Sequence, residues 1–82
     1  MELKDTINLM LSADYEDRFK AEYYQTKNRY DKLHIMIVKY EAGTIDFTPD
    51  CPINLLKDQA KYMGMYLYQL EVRAQIEGIT LY

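Results

Sequence analysis

The sequence has one cysteine, one histidine, two prolines and three glycines, and it has no tryptophan. The single Cys51 excludes an internal disulfide and a cysteine-rich zinc site. The single His34 excludes a cluster of histidine ligands. The glycine-rich phosphate loop, HExxH, the nucleophile elbow and CxxC are absent as well. We therefore expect no catalytic residues, no metal site and no cofactor, and we expect that the protein is not an enzyme.

Basic charge and long apolar runs are also scarce. Ten Lys and Arg residues stand against thirteen Asp and Glu residues, which gives a net charge of -3 and a pI near 5.0. Binding to duplex nucleic acid requires a basic surface, so it is not expected. No run approaches the roughly 20 apolar residues of a membrane span, and the N-terminus has no basic signal-peptide region. These features predict a soluble, intracellular protein.

Apolar and tyrosine side chains are abundant. Hydrophobic residues make up 49% of the 82 residues, and nine residues are tyrosine. A chain of this length forms one domain, over residues 1–82, with a core of limited size. Because tyrosine has an apolar ring and a polar tip, it suits interfaces better than a dry core. The composition therefore favours an assembly of several copies.

The clearest pattern is a heptad-like stripe in the first half of the chain. Its members follow one another in steps of four and three residues, as in a helix that packs along its length against another helix. They are Phe19, Tyr23, Thr26, Tyr30, Leu33, Ile37 and Tyr40. A second stripe follows at Leu56, Gln59, Met63, Tyr66 and Leu70. Together the stripes predict an all-α fold, an antiparallel two-helix hairpin that assembles into a helical oligomer.

Turn and capping residues predict the boundaries of these helices. We expect a short N-terminal helix over 1–11, which is too short to be stable unless it docks on its own hairpin or on a neighbour. The first long helix is predicted over 13–41 and the second over 52–77. The connector, 42–51, begins near Gly43 and is rich in Thr, Asp and Pro. Pro52 suits the first position of the second helix, and Gly78 suits its end.

The second helix has two further features. Gly64 lies in its interior at a cost of about 1 kcal/mol relative to Ala, which suggests that another backbone comes close there. Apolar residues also lie off the predicted seam, on a second face, and indicate more than one packing partner. They are Leu55, Tyr62, Met65, Val72 and Ile76.

Tyrosines alternate with basic residues early in the first long helix. From Arg18 to Lys32 there are five basic and two acidic residues. Lys20, Tyr24 and Lys27 share one face, and Tyr15 and Arg18 share another. Aromatic rings stack on bases, and guanidinium and ammonium groups hold phosphates. The plainer interpretation is a solvated face with charge pairs such as Glu16–Lys20, and spacing alone favours it.

Two residue patterns resemble a known family. The first is Asp14, Tyr15, Arg18, Phe19, Lys20, Glu22, Tyr23, Arg29 and Leu33, and the second is Leu55, Leu56, Gln59, Met63, Tyr66, Leu70 and Arg73. Over about residues 12–77 they resemble the two helices of small phage-encoded helical-hairpin proteins. This group includes the anti-CBASS and anti-Thoeris nucleotide sponges of bacteriophages.

The resemblance implies a concrete function. Such sponges form homo-oligomers, commonly hexamers, and sequester cyclic di- or trinucleotides or cyclic ADP-ribose isomers without cleaving them, in the cytoplasm of an infected or lysogenic bacterium. Their sites lie between protomers. Carried onto this chain, Tyr15 or Tyr24 would stack on a base, and Arg18, Lys20 and Lys27 would bind phosphates. Arg73 could line a symmetric site for a cyclic trinucleotide.

Two other functions stay open at the sequence level. The extra apolar face and the acidic pI are compatible with a small coiled-coil adaptor or inhibitor that acts by protein–protein interaction. A hydrolase of the same messengers ranks last, because the sequence offers neither a metal cluster nor a nucleophile–base pair.

Overall fold

The computed structural model describes residues 2–81, and most of them are helical. A 3₁₀ turn over Leu3–Thr6 leads into α1, Ile7–Leu11, and is followed by α2, Tyr15–Ala42, and α3, Ile53–Glu77. These described residues contain no strand, and the all-α prediction is confirmed. Met1 of the predicted first helix and Tyr82 at the end of the chain lie outside the described residues.

Local signals explain where α2 begins and ends. The Asp14 side chain accepts a hydrogen bond from the Glu16 amide at 2.9 Å, and Asp14 is the N-cap. Gly43 ends the helix with φ 74°, in the left-handed region that favours glycine. α2 therefore runs from Tyr15 to Ala42, within two residues of the predicted start and one of the predicted end.

The end of α3 reverses the chain and buries the tail. Gly78 has φ 71°, and the Ile79 amide donates to the Ala74 carbonyl at 2.8 Å. This turn directs Ile79 and Leu81 into the core, where both are buried. The last described residues are thus part of the packed structure.

Contacts at both ends show that α2 and α3 run in opposite directions. The Tyr15 hydroxyl, at the start of α2, donates to Glu77, at the end of α3. At the other end, Glu41 forms a salt bridge with Lys57. α3 therefore returns along α2, and residues 2–81 measure 43 × 25 × 19 Å.

The face that α3 turns toward α2 differs from the predicted stripe. Gln59 and Tyr66 are exposed, whereas their neighbours Ala60 and Leu67 are partly and fully buried. The prediction that Gln59 lies in the seam is therefore wrong, whereas Tyr66 lies at the edge of the seam and its hydroxyl donates to Glu22 of α2. A small rotation of α3 buries apolar side chains and leaves the Gln amide and the Tyr hydroxyl near solvent, which avoids burying unpaired polar groups. The observed stripe is Ile53, Leu56, Ala60, Met63, Leu67, Leu70 and Ala74.

The buried core occupies only the half of the molecule that contains the start of α2 and the end of α3. Tyr23 is 2% exposed and Leu70 is 1% exposed, and Phe19 and Leu67 are buried beside them. No residue from position 24 to position 66 is buried. The far half consists of two helices with no third layer, and its heptad positions are only partly covered.

The N-terminal segment supplies a third layer for the packed half. The buried Thr6 hydroxyl accepts a hydrogen bond from Gln25 Nε2 of α2 at 2.9 Å and donates to the Leu3 carbonyl. Ala21, on the same side of α2, is buried as well. The segment thus docks on its own chain, although Ile7 and Leu11 remain exposed.

Candidate functional site

Two of the predicted ligand residues, Tyr15 and Arg73, meet across the two long helices. Arg73 Nη2 donates to the Tyr15 hydroxyl at 2.8 Å, and that hydroxyl donates to Glu77 Oε1 at 2.9 Å. Arg73 Nε also donates to Glu77 Oε2 at 3.3 Å. The guanidinium carbon lies 5.1 Å from the centroid of the Phe19 ring. We call Tyr15, Phe19, Arg73 and Glu77 the terminal cluster.

The terminal cluster changes the proton affinity of its exposed groups. The hydrogen bond to Glu77 raises the pKa of the Tyr15 phenol, because the carboxylate holds the neutral, donating form. The neighbouring Tyr15 and then Glu77 raise the pKa of Arg73, which stays a cation. The Arg73 guanidinium is therefore already hydrogen-bonded to the Glu77 carboxylate and the Tyr15 hydroxyl. A phosphate that reached Arg73 would have to replace Glu77.

Arg18 and Tyr24 contact groups other than those of the terminal cluster. Arg18 Nη1 donates to the Ser12 carbonyl at 3.2 Å and so holds the segment before α2. The Tyr24 hydroxyl donates to the Leu81 carbonyl, and its ring meets the Tyr23 ring edge-on. Lys20 is partly buried one turn before Tyr24. In this arrangement Arg18 and Tyr24 stabilise chain ends, and binding of a ligand by these three residues stays a prediction.

The remaining predicted residue, Lys27, lies beside a different aromatic ring. Its Nζ is 2.8 Å from Asp31 Oδ1 and 5.8 Å from the centroid of the Tyr30 ring. The hydrogen bond to Asp31 raises the pKa of Lys27. The Tyr30 ring is also stacked on His34, with centroids 5.9 Å apart and planes 10° apart. Lys27 is therefore a cation at the edge of an ordered aromatic pair.

Tyr30 is one wall of an open groove on the surface of α3. The groove has a volume of about 520 Å³ and contains both aromatic and polar side chains. Its lining residues are Tyr30, Lys61, Gly64, Met65, Tyr68 and Gln69. Two tyrosine rings, an ammonium group and a carboxamide are the groups that a planar, anionic ligand requires. We call this feature the tyrosine groove.

Sequence reasoning missed most of the tyrosine groove, although one signal pointed to it. Gly64 was expected to allow another backbone to approach, but it is the Tyr30 ring that lies there. A Cβ placed on Gly64 would be 3.4 Å from Tyr30 Cε1. Lys61, Gly64 and Tyr68 are three and four residues apart and therefore share one face of α3. That spacing, read together with the glycine, would have identified the groove.

The described residues lack a metal-binding group and a membrane-spanning helix. Among residues 2–81, no three His, Cys, Asp or Glu side chains lie together in a group that could hold a metal ion. In the same part of the chain, no helix combines the length and the apolar character needed to cross a membrane.

Comparison with known proteins identifies a family. A family model described as Sequestin matches residues 13–76, which include α2, the connector and all but the last residue of α3. No curated protein and no solved structure matches the chain. Because the match extends over well above half of the 82 residues, the chain belongs to the Sequestin family.

Proposed function

We propose that this protein is a phage-encoded sponge that binds cyclic oligonucleotide immune messengers and withholds them from the host defence without cleaving them. It is not an enzyme, and it acts in the cytoplasm of the infected or lysogenic bacterium. Its mechanism is stoichiometric. Tight binding and slow release lower the free concentration of the messenger, and no turnover is needed.

Family membership is the observation that carries this proposal. The Sequestin match over residues 13–76 contains both long helices, and the family name suggests sequestration. The side chains support a nucleotide as the sequestered molecule. Tyrosine rings and cations lie side by side at the terminal cluster and at the tyrosine groove. Aromatic rings stack on bases, and Lys and Arg bind phosphates.

The proposal includes assembly of helical hairpins into a homo-oligomer, with a hexamer as the expected form. The far half of α2 and α3 is only partly covered, since residues 24–66 include no buried residue. This exposed surface supports assembly. Copies that pack together would cover apolar area that one chain leaves in water. A site between copies could also enclose a small ligand more fully than one hairpin can.

A thermal-shift panel tests the proposed function directly. The ligands are cyclic dinucleotides, cyclic trinucleotides and cyclic ADP-ribose isomers, and linear AMP is the control. A ligand present at about 100 times its Kd should stabilise the folded protein by roughly 2.7 kcal/mol. The ligand should be recovered intact after the saturated protein is denatured. The absence of any shift, together with no released absorbance near 260 nm, would contradict the proposal.

Two variants test the contribution of the terminal cluster. Tyr15→Ala and Arg73→Ala should weaken binding of the panel ligand by about tenfold or more if these residues touch it. The matched control is Arg29→Ala, which removes an exposed arginine elsewhere on α2. If the two variants bind normally but unfold more easily, the cluster is a structural contact between helices, and the ligand binds elsewhere.

One observation favours a second candidate, a small adaptor or inhibitor that binds another protein. The outer face of α3 and the exposed side of α1 present apolar side chains to solvent. Recovery of a stoichiometric protein partner, with no nucleotide in the purified material, would favour this function. Cleavage of the panel ligand would instead favour a hydrolase.

A further inference from the structure

The outer face of α3 carries a second heptad pattern, on the side opposite the one that packs on α2. At about 100° per residue, Met65, Val72 and Ile76 point roughly opposite to Leu67 and Leu70. Ile76 is 79% exposed and Tyr62 is 64% exposed. We call this set the outer stripe, and its apolar members are Leu55, Tyr62, Met65, Val72 and Ile76. Asp58 and Gln69 fill the two polar positions of the same pattern.

The outer stripe has the size and spacing of an interface with another helix. Its side chains are between 40% and 79% exposed, which for five large side chains amounts to on the order of several hundred Å² of apolar area. That is a large part of the roughly 800 Å² that each partner contributes to a stable interface. Heptad spacing along a straight helix suits a partner helix that runs beside it. A second copy of α3 supplies such a helix with the same spacing.

The charges of α3 favour an antiparallel partner. If two copies ran parallel and in register, Asp58 would face Asp58 of the other copy, and like charges repel. If they run antiparallel about a point between residues 65 and 66, Leu55 faces Ile76, and Asp58 lies level with Arg73, whose guanidinium also pairs with Glu77 of its own chain. Tyr62 then faces Gln69, whose carboxamide can hydrogen-bond to the hydroxyl. The antiparallel arrangement thus brings Leu55 onto Ile76 and separates the two Asp58 carboxylates.

The tyrosine groove borders this face. Met65 belongs to the outer stripe and also lines the groove, and Gln69 does so as well. A copy seated on the stripe would therefore stand at the open side of the groove and form a wall that the single chain lacks. Tyr68 is 67% exposed in the single chain, so its ring is free to stack on a ligand.

The charges at the groove suit an anion. Lys61 forms no ion pair with any of residues 2–81. Lys27 is a second cation near the Tyr30 ring, with its Nζ 5.8 Å from the ring centroid. A base between the tyrosine rings would place its phosphate within reach of a flexible lysine.

We propose that a second copy of the chain packs antiparallel on the outer stripe of α3, and that the tyrosine groove beside this interface binds the base of a cyclic nucleotide. Each pocket is then built from both copies, with the stacking residues from one and a covering wall from the other. The class of ligand rests on the proposed function, whereas the interface rests on the outer stripe alone.

Sedimentation equilibrium of an outer-stripe variant tests the interface. Ile76→Glu places a charge at an exposed position, so the fold should persist while the dissociation constant of the assembly rises about tenfold or more. The matched control, Gln75→Glu, adds the same charge one residue away and off the stripe, and it should assemble like the unchanged protein. A monomeric unchanged protein, or normal assembly of Ile76→Glu, would overturn the proposed interface.

Cysteine cross-linking tests the orientation of the two copies. In a Cys51→Ser background, a mixture of Leu55→Cys and Ile76→Cys chains should form a disulfide between the two variants under mild oxidation. Neither variant alone should form one, because positions 55 and 76 lie far from their own equivalents in an antiparallel pair. Efficient cross-linking of either variant with itself would instead show a parallel pair and overturn the antiparallel arrangement.

Isothermal titration of Tyr68→Ala tests the groove, with cyclic triadenylate, cyclic di-GMP and cyclic ADP-ribose as probes. The variant should lose at least about tenfold in affinity for the probe that binds the unchanged protein, because one stacking ring is lost, while its assembly stays the same. The control, Tyr40→Ala, removes an exposed tyrosine at the far end of α2 and should bind normally. Normal binding by Tyr68→Ala would contradict ligand binding in the tyrosine groove and leave the proposed sponge function intact. If the unchanged protein binds none of the probes, the proposed function fails. If the unchanged protein nevertheless assembles and the Ile76→Glu variant does not, the interface stands.

Discussion

At the scale of single residues, tyrosine hydroxyls tie the two long helices together. The hydroxyls of Tyr15, Tyr23 and Tyr66 donate to the carboxylates of Glu77, Glu71 and Glu22 on the opposite helix. Each ring lies along the apolar boundary while its hydroxyl reaches a polar partner at the rim. This arrangement explains how a small helical protein uses so many tyrosines without leaving their hydroxyls unpaired in the core.

The terminal cluster makes a prediction about pH. Glu77→Gln should lower the pKa of Tyr15, because the carboxylate that holds the phenol in its neutral form is lost. Since the folded pKa of Tyr15 is raised, the contact contributes its stability below about pH 10 and loses it as the pH rises through the folded pKa. The measurement is the tyrosinate absorbance at alkaline pH, with Tyr15→Phe to identify the signal.

Glu41→Gln is the control for this titration, because Glu41 pairs with Lys57 at the other end of the helices. It should leave the Tyr15 titration unchanged. A Tyr15 pKa that is the same in Glu77→Gln and in the unchanged protein would show that the hydrogen bond does not persist in solution.

At the scale of the elements, Gly78 and Gly64 have different structural roles. Gly78 has a positive φ and turns the chain so that Ile79 and Leu81 enter the core. Gly64 is helical, and the Tyr30 ring lies against it. The first glycine is required by the backbone, whereas the second is not, because an alanine Cβ there would touch the Tyr30 ring without a clash. The same substitution should therefore have opposite effects at the two positions.

Gly78→Ala should destabilise the protein by about 1–2 kcal/mol, because alanine is strained in the left-handed region. Gly64→Ala should stabilise it by up to about 1 kcal/mol, because alanine favours the helix and its Cβ meets Tyr30 Cε1 at an ordinary contact distance of 3.4 Å. Urea unfolding of both variants measures the difference. Equal signs for the two changes would contradict the assignment of these roles.

At the scale of the whole molecule, the packing is uneven. The N-terminal segment and the C-terminal tail both cover the half that contains Tyr23 and Leu70. The far half has only the two helices and the connector, where Phe47 is 54% exposed. A single chain is therefore stabilised mainly at one end, and its far end depends on what else packs there.

Truncation of one leucine in each half should show this asymmetry. Leu70→Ala should cost about 2–5 kcal/mol of unfolding free energy, because Leu70 is fully buried. Leu33→Ala should cost less in a dilute sample, because Leu33 is only partly buried. If other copies cover the far half, the cost of Leu33→Ala should rise with protein concentration. Equal costs at low concentration would contradict a one-ended core.

The sequence by itself determined the helices and their limits. Heptad spacing indicates two long amphipathic helices, and Asp14, Gly43 and Gly78 mark their ends, because capping and left-handed positions depend on a few neighbouring residues. The all-α class follows from the same local pattern. The second apolar face of α3 could also be read from spacing alone.

Only the tertiary structure decided how these elements meet. Whether Tyr66 or Leu67 lies at the centre of the face that packs on α2 depends on the rotation of the whole helix α3, and the combined burial of all its side chains decides that rotation. The meeting of Tyr15 with Arg73, and of Tyr30 with Gly64, joins residues far apart in the chain. Such contacts follow from the relative position of two helices, and no local pattern contains that information.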